Sequence, residues 1–104
     1  MRGSYKRGAT VKALIEFTAQ EWEGLWPWDS ITATADQEKD GVKYPMMIHP
    51  LPETRSILLM ADTSDWYIRV ARIDVMVVKG AETIILPNKG YIEVDITTAA
   101  TEKP

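Results

Sequence analysis

The chain has no cysteine, a single histidine and a single phenylalanine among its 104 residues. Without cysteine there is no disulfide framework and no thiolate metal site, so packing and hydrogen bonds must hold the fold. That fits a reducing compartment. With only His49, a Ser-His-Asp set or a His-based metal site would have to be built around one imidazole. His49 lies between Ile48 and Pro50, where bonding to nearby backbone is the simpler role. No HExxH, GxSxG, GxxxxGK or GxGxxG sequence occurs, so the common metalloprotease, hydrolase and nucleotide signatures are missing. No apolar run approaches the ~20 residues that span a bilayer. The basic start is not followed by the apolar stretch of a secretion signal. No membrane partner and no cofactor are expected, and the chain reads as soluble, in a reducing compartment or a virion.

What is present fits one globular domain. Hydrophobic residues make up 45% and charged residues 26%, which is ordinary for a folded domain of this length. The net charge is −3, but it is unevenly spread. The first twelve residues carry Arg2, Lys6, Arg7 and Lys12 and no acid. The remainder holds eight bases against fifteen acids. A basic arm (residues 1–10) on an acidic body (11–97) is expected, with a polar tail at 98–104. Such an arm suits an acidic neighbour or a second copy.

The last third carries the clearest pattern. Trp66 to Val78 is apolar and β-branched, Lys79-Gly80-Ala81 interrupts it, and Thr83 to Leu86 resumes it. Pro87-Asn88-Lys89-Gly90 breaks the chain again, in a sequence suited to a G1-bulge hairpin. Ile92, Val94 and Ile96 then alternate against Tyr91, Glu93 and Asp95. This is the period of strands with one buried face, and it predicts a C-terminal three-stranded meander. Within the first run, Ile68 and Val70 are out of phase with Ile73, Val75 and Val77. A β-bulge near Ala71-Arg72, or a strand bending between sheets, would restore the phase.

Upstream, Val11 to Phe17 places Val11, Ala13, Ile15 and Phe17 on one face and Lys12, Leu14 and Glu16 on the other. Thr18-Ala-Gln-Glu21 matches a capping box, predicting a short helix near 19–26 that Pro27 ends. Ile31 to Asp36 is a Thr-rich strand, Gln37 to Gly41 a charged turn, and Val42 to Ile48 a returning strand that Pro45 confines to an edge or splits. His49 to Pro52 reads as an extended connector, and Ser56 to Ala61 as a buried strand. About seven strands with closely spaced turn signals predict an all-β fold, an antiparallel β-sandwich or small barrel.

Three groups could carry function. Trp22, Trp26 and Trp28 crowd together, either as a platform for a sugar or peptide or as a plug for one end of the β-body. Asp36, Glu38 and Asp40 could form an acidic patch or a weak surface calcium site. Arg69 and Arg72 could share an exposed face and pair with a partner, or bond within the domain to Glu93 or Asp95. The surrounding acidic body argues against nucleic acid. The leading expectation is a non-enzymatic assembly protein. It would be a small virion-type decoration, head-fibre or tail subunit that packs against copies of itself or a larger scaffold. The residues expected to meet a partner are Arg2, Lys6, Arg7, Trp28, Arg69 and Arg72. A sugar- or peptide-binding sandwich using Trp22, Trp26 and Trp28, or an acidic inhibitor, are the alternatives.

Overall fold

A computed structural model of the chain describes residues 2–38, 41–87 and 90–100, Arg2 by its backbone alone. It is an all-β sandwich of two sheets with one α-helix. The strands are β1 (Arg2–Lys6), β2 (Thr10–Glu16), β3 (Ser30–Asp36), β4 (Lys43–Pro45), β5 (Met47–Leu51), β6 (Ser56–Asp62), β7 (Val70–Lys79), β8 (Glu82–Leu86) and β9 (Ile92–Thr97). The helix α1 spans Ala19–Leu25. The larger sheet runs β1-β9-β7-β3-β4, with β8 also on β7. The smaller runs β2-β6-β5.

Alternation decides which side chains meet between the sheets. On β7, Ala71, Ile73, Val75 and Val77 point inward and are buried. Ala33 and Ala35 of β3 and Val94 and Ile96 of β9 join them. The small sheet answers with Val11, Ile57 and Leu59. Small alanines opposite branched residues let the two layers interdigitate at close packing.

The chain changes sheets four times, between β1 and β2, β2 and β3, β4 and β5, and β6 and β7. β1 leads through Arg7-Gly8-Ala9 into β2, which belongs to the other sheet. Gly8 has φ +98° there, a conformation glycine adopts without a Cβ clash. Buried Thr63 fixes this turn: Gly8 N–H donates to Thr63 Oγ1 at 2.9 Å, and Thr63 Oγ1–H donates to Ala9 O at 2.8 Å. On the other side, β4 pairs with β3 and β5 pairs with β6. The run Val42 to Ile48 is therefore split just after Pro45, where Met46 N–H bonds to Ala33 O at 2.9 Å. His49-Pro50-Leu51 is not a bare connector, because it forms the last three pairs of β5 with β6.

Several expectations need correction. The basic segment is not a free arm. Its residues 2–6 form β1, parallel to β9 with Arg2 opposite Glu93 and Lys6 opposite Thr97. Its own backbone bonding and the inward Tyr5 hold it to the body. The strand expected from Trp66 starts only at Val70, and residues 63–69 form a loop. The phase change thus marks the end of that loop, and no bulge at Ala71-Arg72 is needed. β8 and β9 do not pair as a hairpin; they follow one another along the same edge of β7, at Val75–Lys79 and Val70–Ile73. Asn88 and Lys89, between them, lie outside the described residues, as does the tail from residue 101.

Candidate functional site

α1 forms as its capping box dictates. Glu21 N–H donates to Thr18 Oγ1 at 3.2 Å, and Thr18 N–H donates to Glu21 Oε1 at 2.9 Å. Two otherwise orphaned donors are satisfied at once. Trp22 and Leu25 bury themselves in the core. At the other end, Lys79 Nζ donates to Glu23 O at 3.0 Å and to Trp26 O at 3.4 Å. A cation at these last carbonyls complements the helix dipole and ties α1 to the end of β7.

The tryptophans pack chiefly on one another. Trp26 stacks on Trp22 at 5.5 Å between centroids and 20° between planes. Trp28 meets Trp26 edge-on at 4.8 Å and 82°. Trp22 is buried, while Trp26 and Trp28 are half-buried. Crossed planes do not make a flat platform from Trp26 and Trp28 together. The cluster, with Phe17 against Trp22 at 5.9 Å, seals this end of the sandwich.

The opposite end is pinned by Gln37. Expected in a charged turn, it is 2% exposed. Its Nε2 donates to Tyr67 O at 2.8 Å and to Arg69 O at 3.2 Å, and its Oε1 accepts from Tyr67 N–H at 2.8 Å. This clamp holds the 63–69 loop, which buries Trp66 against Tyr44 at 5.0 Å. Tyr44 Oη donates to Asp65 O at 3.4 Å. Burial pushes the Tyr44 phenol above its ordinary 10.0, with the charges of Tyr67 and Asp65 adding to the effect.

The expected partner residues do not form one site. Lys6, Arg7 and Arg69 gather at the carboxyl end of β9, where Arg7 N–H bonds to Thr97 O and Ile96 N–H to Arg69 O. Trp28 lies at the other end, with α1. Arg72 faces out of the large sheet, pairs with Glu38 and stacks over Tyr91 at 5.7 Å. In register it stands between Asp36 and Glu93. Of the expected acidic patch, Asp36 Oδ1 accepts from Glu38 N–H at 2.7 Å, Glu38 is paired, and Asp40 lies outside the described residues. The side chain of Arg2 is likewise not described. His49 is exposed, opposite Leu58. Among the described residues, no three potential metal ligands come together.

The feature that stands out is the outer face of the small sheet. Register places Leu14, Leu58 and His49 in one cross-strand row and Lys12, Met60 and Met47 in the next. Leu14 is 54% and Met47 61% exposed, with Leu51 also open at the end of β5. Leu58 and Met60 are half-buried between them. Exposed apolar side chains thus lie side by side on this face, with Lys12 and His49 at its margins. A smaller pair lies on the large sheet, where Met76 stands opposite Ile85 and both are exposed. The signal for the main face was in the sequence: Leu14 sits at the polar phase of β2, between Lys12 and Glu16. Its neighbours Leu58, Met60 and Met47 could be found only through the register.

A groove of about 760 Å³ runs beside the free edge of β2. Gly3, Tyr5 and Val94 lie toward one wall, Ile15 and Phe17 toward the other.

No protein-family model matches the chain, and no curated protein matches it. A solved structure of an internalin-like protein from Listeria monocytogenes is similar in fold, with a TM-score of 0.50 at 16% identity. The similarity covers 94% of this chain and 27% of that one. At this identity the likeness concerns the fold alone. The chain spans about a quarter of that protein's length. No helix among the described residues is long and apolar enough to cross a membrane.

Proposed function

We propose that the protein is a non-enzymatic assembly module that packs against further copies of itself through the outer face of its small sheet. The kind of assembly we have in mind is a small subunit that decorates or extends a larger particle, as in a virion coat or tail. The observation that carries the reading is the cluster of apolar side chains in two neighbouring rows across β2, β6 and β5: Leu14 and Leu58, beside His49, and Met60 and Met47, beside Lys12. Antiparallel sheets commonly leave one face to water, and that face is then polar. Here Leu14, Leu58, Met60, Met47 and Leu51 stand on the face open to water, among Lys12, Glu16 and His49. Two such faces related by a two-fold axis would bury the same residues from both copies. The methionines adapt their shape to such a contact.

Light scattering over a range of concentrations tests this. The expected result is association beyond the 11.7 kDa single chain, lost when Met47→Asp and Leu51→Asp are combined. Both side chains are exposed, so the folded chain tolerates the change. A single-chain mass at every concentration, or association unaltered by the double substitution, would overturn the proposal.

A further inference from the structure

We propose that the free edge of β2 takes an extended segment of a partner protein as an added strand, one that alternates apolar residues with lysine or arginine. The inference rests on this edge and its groove, not on the outer sheet face invoked above.

Main-chain polarity comes first. Antiparallel strands turn the N–H and C=O groups of alternate residues toward and away from a given neighbour. Phe17 N–H bonds to Arg55 O at 2.9 Å, and Ala9 O accepts from Thr63 N–H at 3.3 Å. Arg55 and Thr63 flank β6, so the odd-numbered residues of β2 face that strand. Lys12, Leu14 and Glu16 therefore direct their main-chain groups away from it. Tyr5 bears this out, since its Oη donates to Lys12 O at 2.8 Å and faces Lys12 N at 3.5 Å. The phenol thus satisfies the edge at Lys12. Beyond it, no described strand pairs with Leu14 or Glu16.

Of the small sheet's two edges, β5 is guarded and β2 is not; in the large sheet β4 is guarded, whereas β1 and β8 carry no proline. β4 carries Pro45 and β5 carries Pro50, and a proline withholds the N–H that a new strand would use. β2 has no proline. Its edge also opens onto a groove rather than flat solvent. Gly3 contributes no side chain: a Cβ there would sit 3.3 Å from the Tyr5 ring and 4.0 Å from Val94 Cγ1. Ile15, Phe17, Leu86 and Ile92 supply apolar walls. Alternate side chains of an added strand would enter this groove, while main-chain bonds to Leu14 and Glu16 held it in place. Glu16 and Glu21 line the groove beside Lys12, and Glu93, also in its lining, is already engaged within the domain. Glu16 is exposed at the end of β2, so it favours a positive residue beside it at a position facing solvent.

β2 is seven residues long, so the probe is a peptide of about seven residues alternating valine and lysine. Its valine–glutamate counterpart and a form N-methylated at alternate residues serve as controls. Amide spectra of the intact chain should shift at Leu14, Glu16 and Ile92 on adding the basic peptide. The acidic and N-methylated peptides should bind at least about tenfold more weakly. Leu14→Pro removes an N–H that the internal ladder does not use, and should abolish binding without unfolding the chain. Glu16→Lys should weaken binding and flatten its salt dependence. The N-methylated peptide tests the same bonds without altering the protein, should Leu14→Pro fail to fold. No shift at about 1 mM peptide, equal binding of the basic and acidic forms, or indifference to N-methylation would overturn the proposal. So would shifts at Leu14 that follow protein concentration alone, since a second copy would then hold the edge. Self-assembly through the outer face is read separately, from the β5 double substitution.

Discussion

Replacing Gln37 by alanine should be among the most damaging single changes at a polar position. The side chain makes three hydrogen bonds to the main chain of Tyr67 and Arg69 while being 2% exposed. A typical intramolecular hydrogen bond contributes about 1 kcal/mol net, so three give about 3 kcal/mol. Arg69 O keeps its bond from Ile96 N–H, which limits the cost at that carbonyl. The groups at Tyr67 lose theirs within a half-buried loop, which raises it. For a domain of this size, 3 kcal/mol lowers Tm by about 15 °C or somewhat more. Urea unfolding followed by tryptophan fluorescence measures the loss, and hydrogen exchange locates it. The amides of Tyr67 and Ile96 should lose protection before those of β6, because the clamp holds the 63–69 loop to β3 and β9. A loss below about 0.5 kcal/mol, the level of an ordinary surface change, would refute the reasoning. It would mean that the 63–69 loop is held by the burial of Trp66 alone.

Other consequences are as direct. Trp22→Ala should cost about 3–5 kcal/mol as a core truncation, whereas Trp28→Ala, half-buried and edge-on, should cost about 1–2 kcal/mol; equal losses in urea unfolding would contradict the plug arrangement. Arg72→Ala should cost less than about 1 kcal/mol, because its pair with Glu38 is exposed on both sides and screened by solvent. The raised Tyr44 phenol keeps its proton in the folded chain after the unfolded chain has lost it. Its contribution is fully present below about pH 10 and is lost as pH climbs through the folded value. Thermal unfolding of Tyr44→Phe should therefore decline less steeply above pH 10 than that of the parent; parallel declines would sink the assignment. Lys79→Met should loosen α1, seen as faster exchange of the Trp26 amide with β6 unaffected.

The fold class and those elements that rest on local signals were legible in the order of the residues. The capping box of Thr18 and Glu21, the stop at Pro27 and the alternation of Ile92, Val94 and Ile96 each depend on neighbours a few residues away. Short-range sterics and hydrogen bonding are enough to fix them. The split of the returning strand at Pro45 was legible for the same reason, since a proline removes one ladder bond wherever it stands. Residues 2–6 were misjudged because nothing local distinguishes an arm from an edge strand. Only their pairing with β9, about ninety positions later in the chain, makes β1. Gln37 likewise reads as a turn residue until Tyr67 and Arg69 are brought beside it.

Tertiary structure alone decided the candidate surfaces. Register across β2, β6 and β5 brought scattered apolar residues side by side on one face, and the crossing from β1 to β2 left an edge open beside a groove. Pairing between distant strands is set by which faces bury best together and by which loops can close. Those are properties of the whole assembled core, and no window of sequence contains them.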